Sequence, residues 1–194
     1  MINSYASLQD YKDYQRITTT DVVDDAYIET AIEAASRWID RESGTRFYLA
    51  TETRHYDTPK DNLIMLDAHF TAITSVVNGD GTSVAATNYV TLPANSLPLW
   101  GVEMKSASGV KWLEASGSPQ QAIAITGSVG YSALPPKDIV IACLEIAKAL
   151  YSRRFGENLS IKTIITPAGV VQVPEGVPDM AAMTIMNYRR LGFA

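Results

Sequence analysis

The periodicity of the chain changes twice, and this constrains the fold more than any single residue does. Up to about residue 50, and again from about residue 132, apolar residues recur at the spacing of amphipathic helices. Between Thr51 and Tyr131 the texture is one of short β-rich runs separated by turn clusters. Helices on both sides of a β-rich stretch each carry an apolar face that must be covered. The pattern therefore predicts an α+β protein: a helical frame of residues 1–50 and 132–194, with residues 51–131 inserted as an antiparallel, sandwich- or barrel-like β module.

The frame is predicted to hold three main helices and a short N-terminal one. Ser7–Tyr14 opens with Ser7 as N-cap and Asp10 three residues on, close to a capping box. In DDAYIETAIEAASRWIDRESG, Ile28, Ile32, Ala35 and Ile39 share a face, Asp24 or Asp25 is placed to cap, and Gly44 sits where a helix ends. PPKDIVIACLEIAKALYSRRFG puts Ile139, Cys143, Ile146, Ala147 and Leu150 on one face behind two prolines. ENLSIKTIITPAGVVQVPEGV has two β-branched runs around Pro167-Ala168-Gly169, reading as a hairpin or extended C-terminal arm, and PDMAAMTIMNYRRLGF closes the chain as a helix carrying Met183, Met186 and Tyr188. Within the module the expected strands are TETRHYD, LIMLD, ITSVVN, NYVTL, LWGVEMK, VKWLE and AIAITG, with NGDG as the clearest hairpin turn.

Residues 125–136, ITGSVGYSALPP, carry the ingredients of a phosphate loop: a strand, two glycines and a helix start. A P-loop needs G-x-x-x-x-G-K-[ST]. Counted from Gly127 the sixth residue is Ser132, with no Lys-Ser/Thr after it, and Pro135 and Pro136 remove N–H donors where an anion would bind. The GxxG loop of KH modules joins two helices and usually carries basic residues, unlike Gly-Ser-Val-Gly after a strand. The stretch reads as a strand leaving the β module and a proline-fixed helix start. An EF-type calcium loop beginning at Asn78 fails likewise, because Ser83 and Tyr89 stand where glycine and glutamate are required.

Enzymatic chemistry has no positive feature behind it. His55 and His69 are the only histidines and have no cysteine pair to complete a metal set. Cys143, the sole cysteine, lies on the apolar face of its helix, as a buried small hydrophobe would. No catalytic residue, cofactor or metal is expected. With one cysteine there is no internal disulfide, and no apolar run approaches the roughly 18 residues of a membrane span. The N-terminus has neither the basic start nor the apolar stretch of a signal peptide. A cytosolic setting, or something assembled in one, follows, with no membrane partner.

Charge is spread unevenly. Residues 1–45 carry four Lys/Arg against nine Asp/Glu, residues 46–131 five against seven, and residues 132–194 seven against five. An acidic front and a basic back suit copies meeting head to side, or two different partners; solvated helix faces are the plainer explanation. Arg153-Arg154 follow Tyr151 and Arg189-Arg190 follow Tyr188, each at a helix C-terminus, where compensation of the helix dipole competes with contact to phosphates or an acidic partner.

The stretches EAASRWIDRESGTRFY and ITGSVGYSALPPKDI, the latter continuing to LYSRR, together with TRHYD, ITSVVNGDG and PDMAAMTIMNYRR, resemble head–tail connector (adaptor, or head-completion) proteins of tailed bacteriophages. The resemblance covers most of the chain and is one of pattern over length, not of a catalytic motif. It implies a structural protein of the virion neck, assembled in the host cytoplasm, with a helical core that often carries a β insertion. It implies a ring, commonly dodecameric, under the portal. Such a ring extends the channel for packaged double-stranded DNA, helps to retain the genome without reading its sequence, and docks the next neck or tail component (a stopper or tail terminator). In that setting Asp24, Asp25, Glu29 and Glu33 are candidates to face Arg153 and Arg154 of a neighbouring copy. Ile161, Ile164, Ile165, Val170, Val171 and Val173, with an apolar alternation beyond that of a free loop, and Tyr188, Arg189 and Arg190 are candidates for a subunit or portal interface.

Two rival classes stand beside this reading. The chain could itself be a stopper or tail terminator, separable by stoichiometry and portal binding. Alternatively the β module could bind a glycan or protein through Tyr89, Trp100 and Trp112, although core packing is the commoner use of such aromatics.

Overall fold

The structure, a computed structural model, describes residues 3–153, 161–166, 169–174 and 178–189 of the 194-residue chain. It divides into two compact units, Met1–Thr45 with Pro135–Ala194, and Arg46–Leu134.

Among the described residues the first unit holds four helices: α1 (Leu8–Gln15), α2 (Asp25–Ser43), α3 (Lys137–Ser152) and α4 (Asp179–Asn187). The capping box of α1 is complete, with the Ser7 hydroxyl accepting from the Asp10 amide and the Asp10 carboxylate accepting from the Ser7 amide. Helix α2 ends at Gly44 in the left-handed conformation, φ +63°. Its buried stripe is Ile28, Ala31, Ile32, Ala35, Ser36 and Ile39, and that of α3 is Ile139, Ala142, Cys143, Ile146 and Ala147. The small residues in both stripes let the two backbones approach. At the seam the Ser36 hydroxyl donates to the Ile32 carbonyl, accepts from the Tyr5 amide and lies 3.4 Å from the Cys143 sulfur, so the N-terminal strap is pinned to the α2–α3 pair. Tyr151, at the end of α3, bonds Asp24, at the start of α2, so the two helices run antiparallel.

Between α3 and α4 lie two short strands, β6 (Ile161–Thr166) and β7 (Gly169–Pro174). They pair antiparallel as a two-stranded sheet of their own, with Ile164 opposite Val171 and Ile165 opposite Val170.

The second unit is one antiparallel sheet of β1 (Ala50–Tyr56), β2 (Leu63–Val77), β3 (Tyr89–Leu92), β4 (Leu99–Met104) and β5 (Ile123–Val129), in the order β1-β5-β2-β4-β3. It is a single curled sheet, not the pair of stacked sheets that a sandwich would be. Strand β2 is the cause. LIMLD and ITSVVN, expected as two strands, form one strand of 15 residues. Its first half pairs with β4 and its second with β5, with register shifts between Met65 and Phe70 and again beyond Phe70. Phe70 is opposed by Leu99 on one side and Val129 on the other and is fully buried. Register shifts of this kind bend a strand. As a result Asp67, on the first half of β2, reaches Arg54 and Tyr56 on β1 although β5 separates the two strands in the sheet. The curled sheet encloses one core that includes Leu66, Phe70, Val102, Met104, Ile123 and Ile125.

VKWLE, expected as a strand, is not one. The side chain of Asn78, 3 % exposed, takes the place of a neighbouring strand: its amide donates to the Lys111 carbonyl and its oxygen accepts from the Leu113 amide. Gly79 completes the arrangement by donating to the Leu113 carbonyl, in a gap where a Cβ would lie 2.3 Å from that oxygen. NGDG does form a tight turn, with Val77 bridged to Ser83, but no full strand follows it.

Candidate functional site

The glycine-rich joint is structural. Gly127 lies inside β5, where a Cβ would meet the Ala72 carbonyl oxygen at 2.2 Å. Gly130 adopts φ +143° and donates its amide to the His69 carbonyl, and the Tyr131 amide bonds the Arg46 carbonyl. The N–H groups that a phosphate would need are spent inside the fold.

Cys143 is fully buried, and burial pushes its thiol up to about 11, which suits a packing residue and not a nucleophile. Among the described residues no three His, Cys, Asp or Glu side chains converge as a metal site, and no helix is long and apolar enough to cross a membrane. An open groove runs beside β3, lined by Thr71, Ile73, Tyr89, Val90 and the 93–97 loop. Tyr89 is its sole titratable lining residue, so the groove has no acid–base pair. The aromatics weighed as a ligand platform are divided. Tyr89 and Trp112 are core residues, with the Trp112 indole donating to the Asn62 carbonyl, and Trp100 alone is exposed.

The candidate interface residues fall into three groups. In the first, the charge is satisfied within the chain. Asp24 accepts from the Tyr151 hydroxyl at 2.7 Å, and Asp25 lies 2.6 Å from the ammonium of Lys12, a lysine only 3 % exposed. Lys12 also donates to the Asp21 carbonyl, so one buried cation ties α1 to the loop ahead of α2. Tyr188 is occupied as well: its hydroxyl donates to the Asp138 carboxylate and its carbonyl accepts from Thr45. These residues act first as internal latches.

A second group lies at or near the surface. Glu33 is exposed and Glu29 half-buried on α2, and Arg153 and Arg189 are exposed at the ends of α3 and α4. The third group is the hairpin, where Ile161, Ile164 and Ile165 lie in β6 and Val170, Val171 and Val173 in β7. Arg154 and Arg190 lie outside the described residues.

Sequence reasoning missed two surfaces. Met180, Met183 and Met186 form an exposed stripe along α4, and Val22 and Val23 project from the loop before α2 at 63 % and 88 % exposure. The signal for the first was present: α4 carries apolar residues on every side. A second omission is the ion network of the β unit. Glu52 binds both Arg46 (2.6 Å) and Arg54 (2.9 Å), and Arg54 continues to Asp67. The Arg46 hydrogen bond holds the Glu52 carboxyl below the usual carboxylate range, against the smaller opposing effect of burial, and Arg54 adds to the lowering.

The described residues thus form a helical unit with half-covered apolar elements, a curled sheet built around structural glycines, and a two-stranded hairpin sheet of its own. Comparison gives the particular family: residues 5–191 match the head completion protein family, and the chain belongs to it. Members of this family are structural components of the virion. The fold is also that of chains in three solved particles. One is the neck of an empty gene transfer agent (GTA) particle computed with C6 symmetry, at 16% identity and TM-score 0.60 over 98% of this chain and 92% of that one. Another is the virion of a native gene transfer agent particle, at 16% identity and TM-score 0.61 over 100% and 94%. The third is the neck of the native particle computed with C12 symmetry, at 16% identity and TM-score 0.54 over 100% and 93%. No curated protein sequence matches the chain.

Proposed function

We propose that this protein is the head–tail connector of a tailed phage or phage-like particle. In this reading it forms a ring in the neck, under the portal, that extends the DNA channel, helps to retain the packaged genome and docks the next neck or tail component. The observation that carries the reading is the match to the head completion family across residues 5–191. Likeness over nearly the whole chain to subunits of six- and twelve-fold symmetric necks supports a ring, and a dodecamer in particular. The hairpin β6–β7, a two-stranded sheet of its own, supports a contact beyond the subunit, because such a ribbon is marginal in water until something packs on it. We assign it to a subunit or portal boundary, with Glu33 and Arg189, both exposed, as charges for the same contacts.

The test is direct imaging of the purified protein, alone and mixed with its cognate portal. A ring on the tail-side face of the portal is expected; a portal that stays bare would refute the connector reading. Deleting residues 161–174 should leave both compact units folded and abolish capture by portal, and undiminished capture would remove the hairpin from that role.

A further inference from the structure

Helix α4 is apolar on two opposite sides. Ala181 and Ile185 are buried in its own unit, whereas Met180, Met183 and Met186 are 68 %, 62 % and 66 % exposed on the other side. Asp179 is the one charged residue of its nine. A helix that is hydrophobic all round belongs in an interior, so half of α4 is left for something that covers it. Methionine suits such a face, because its flexible thioether adapts to the partner surface. At the C-terminal end of the stripe stands the exposed Arg189.

A second uncovered apolar feature occurs elsewhere on the same unit. Val22 and Val23 project side by side next to the exposed Asp21. Their loop is held rigidly, because the Lys12 ammonium bonds the Asp21 carbonyl on one side and the Asp25 carboxylate on the other. This accounts for a buried lysine that would otherwise be an expensive way to fix α1. The two patches lie toward opposite ends of α2. Tyr188, just past α4, meets Thr45, just past α2, whereas Val22 and Val23 precede the first turn of α2. At 19 residues α2 is about 28 Å long. Two separate patches on one molecule, one an apolar stripe with a basic end and the other an apolar knob with an acidic neighbour, are complementary to each other and not to themselves. Contacts of that kind propagate from copy to copy and close into a ring where the rotation between copies closes, instead of pairing two copies face to face.

We propose that the Met180–Met183–Met186 face of α4, with Arg189, docks on the Asp21–Val22–Val23 knob of the next copy and is the repeating contact of the ring. This rests on the ring reading above. It is tested in the full-length protein with Met183→Cys and Val23→Cys. Cys143 is fully buried and does not compete. Under mild oxidation the double variant should give a reducible ladder of dimers, trimers and higher species, while each single variant gives none, and Met183→Asp should lose the ring while keeping the wild-type circular dichroism spectrum. Rings of the wild type together with an absent ladder would overturn this contact and leave the ring reading standing. Efficient cross-linking of the Met183→Cys single variant would also overturn it, by showing a symmetric pair. So would a Met183→Asp variant that keeps its rings and loses only portal capture, which would make the portal the occupant. A wild type that forms no ring, alone or on portal, would remove the reading on which the proposal stands.

Discussion

Replacing Gly127 by alanine tests whether the glycine-rich joint is needed for the close approach of β2 and β5. Gly127 is opposed by Glu52 on β1 and by Ile73 on β2. An added methyl group would sit 2.2 Å from the Ala72 carbonyl oxygen and 3.0 Å from Phe70 Cδ1. A comfortable carbon–oxygen contact is about 3.3 Å, so β2 and β5 must part by about 1 Å at a point where both are backbone-paired. Overpacking of this kind costs roughly 1–3 kcal/mol, and each ladder hydrogen bond weakened adds up to about 1 kcal/mol. We expect a loss of about 3 kcal/mol in the β unit. Trp100 and Trp112 lie in that unit and Trp38 in α2, so urea unfolding followed by tryptophan fluorescence in a Trp38→Phe background reports the β unit alone. Gly81→Ala is the control, with φ +84° and open space around it; its cost is the left-handed backbone alone, about 1–2 kcal/mol. A Gly127→Ala protein as stable as wild type, or more stable than the Gly81→Ala control, would refute the close-approach argument.

Three other outcomes follow from the same geometry. Lys12→Met should destabilise the helical unit by about 2 kcal/mol, because Asp25 is left half-buried without its cation, and the Lys12→Met/Asp25→Leu pair should regain most of the loss in thermal unfolding. Glu52 has a lowered carboxyl pKa when folded, so its contribution is complete above the unfolded value of about 4.3 and is lost as pH falls through the folded value. Between about pH 5 and pH 3 the wild-type β unit should therefore lose more stability than Glu52→Gln, and parallel losses in urea titrations would contradict the assignment. Cys143, fully buried with its thiol pushed up to about 11, should react with a disulfide reagent at neutral pH only at the rate of unfolding, and fast labelling of the folded protein would show the α2–α3 seam to be open.

Helices were legible because each carries its own signal. The spacing of Ile28, Ile32, Ala35 and Ile39, the cap at Ser7 and the stop at Gly44 are local, and local rules place them. The β unit was legible in kind but not in connection. Nothing near Phe70 says that the segments on either side are one strand, because the reason is an exchange of partners, β4 for β5, set by residues 29 and 59 positions away. VKWLE has the composition of a strand, and only the folded chain shows the Asn78 amide taking the place of a neighbour.

The same division runs through the interaction surfaces. The residues alone were enough to exclude a phosphate loop, through Pro135 and Pro136, and to bring out the resemblance to connector proteins that the family match across residues 5–191 bears out. They also marked Asp24, Asp25 and Tyr188 as candidates for contact. Tertiary structure decided that those three are engaged inside the chain, and that Met180, Met183, Met186, Val22 and Val23 are left open. Identity and spacing are properties of the chain, whereas occupancy depends on what folding brings within reach: a carboxylate is free or spent, and an apolar side chain covered or bare, only once its neighbours are in place.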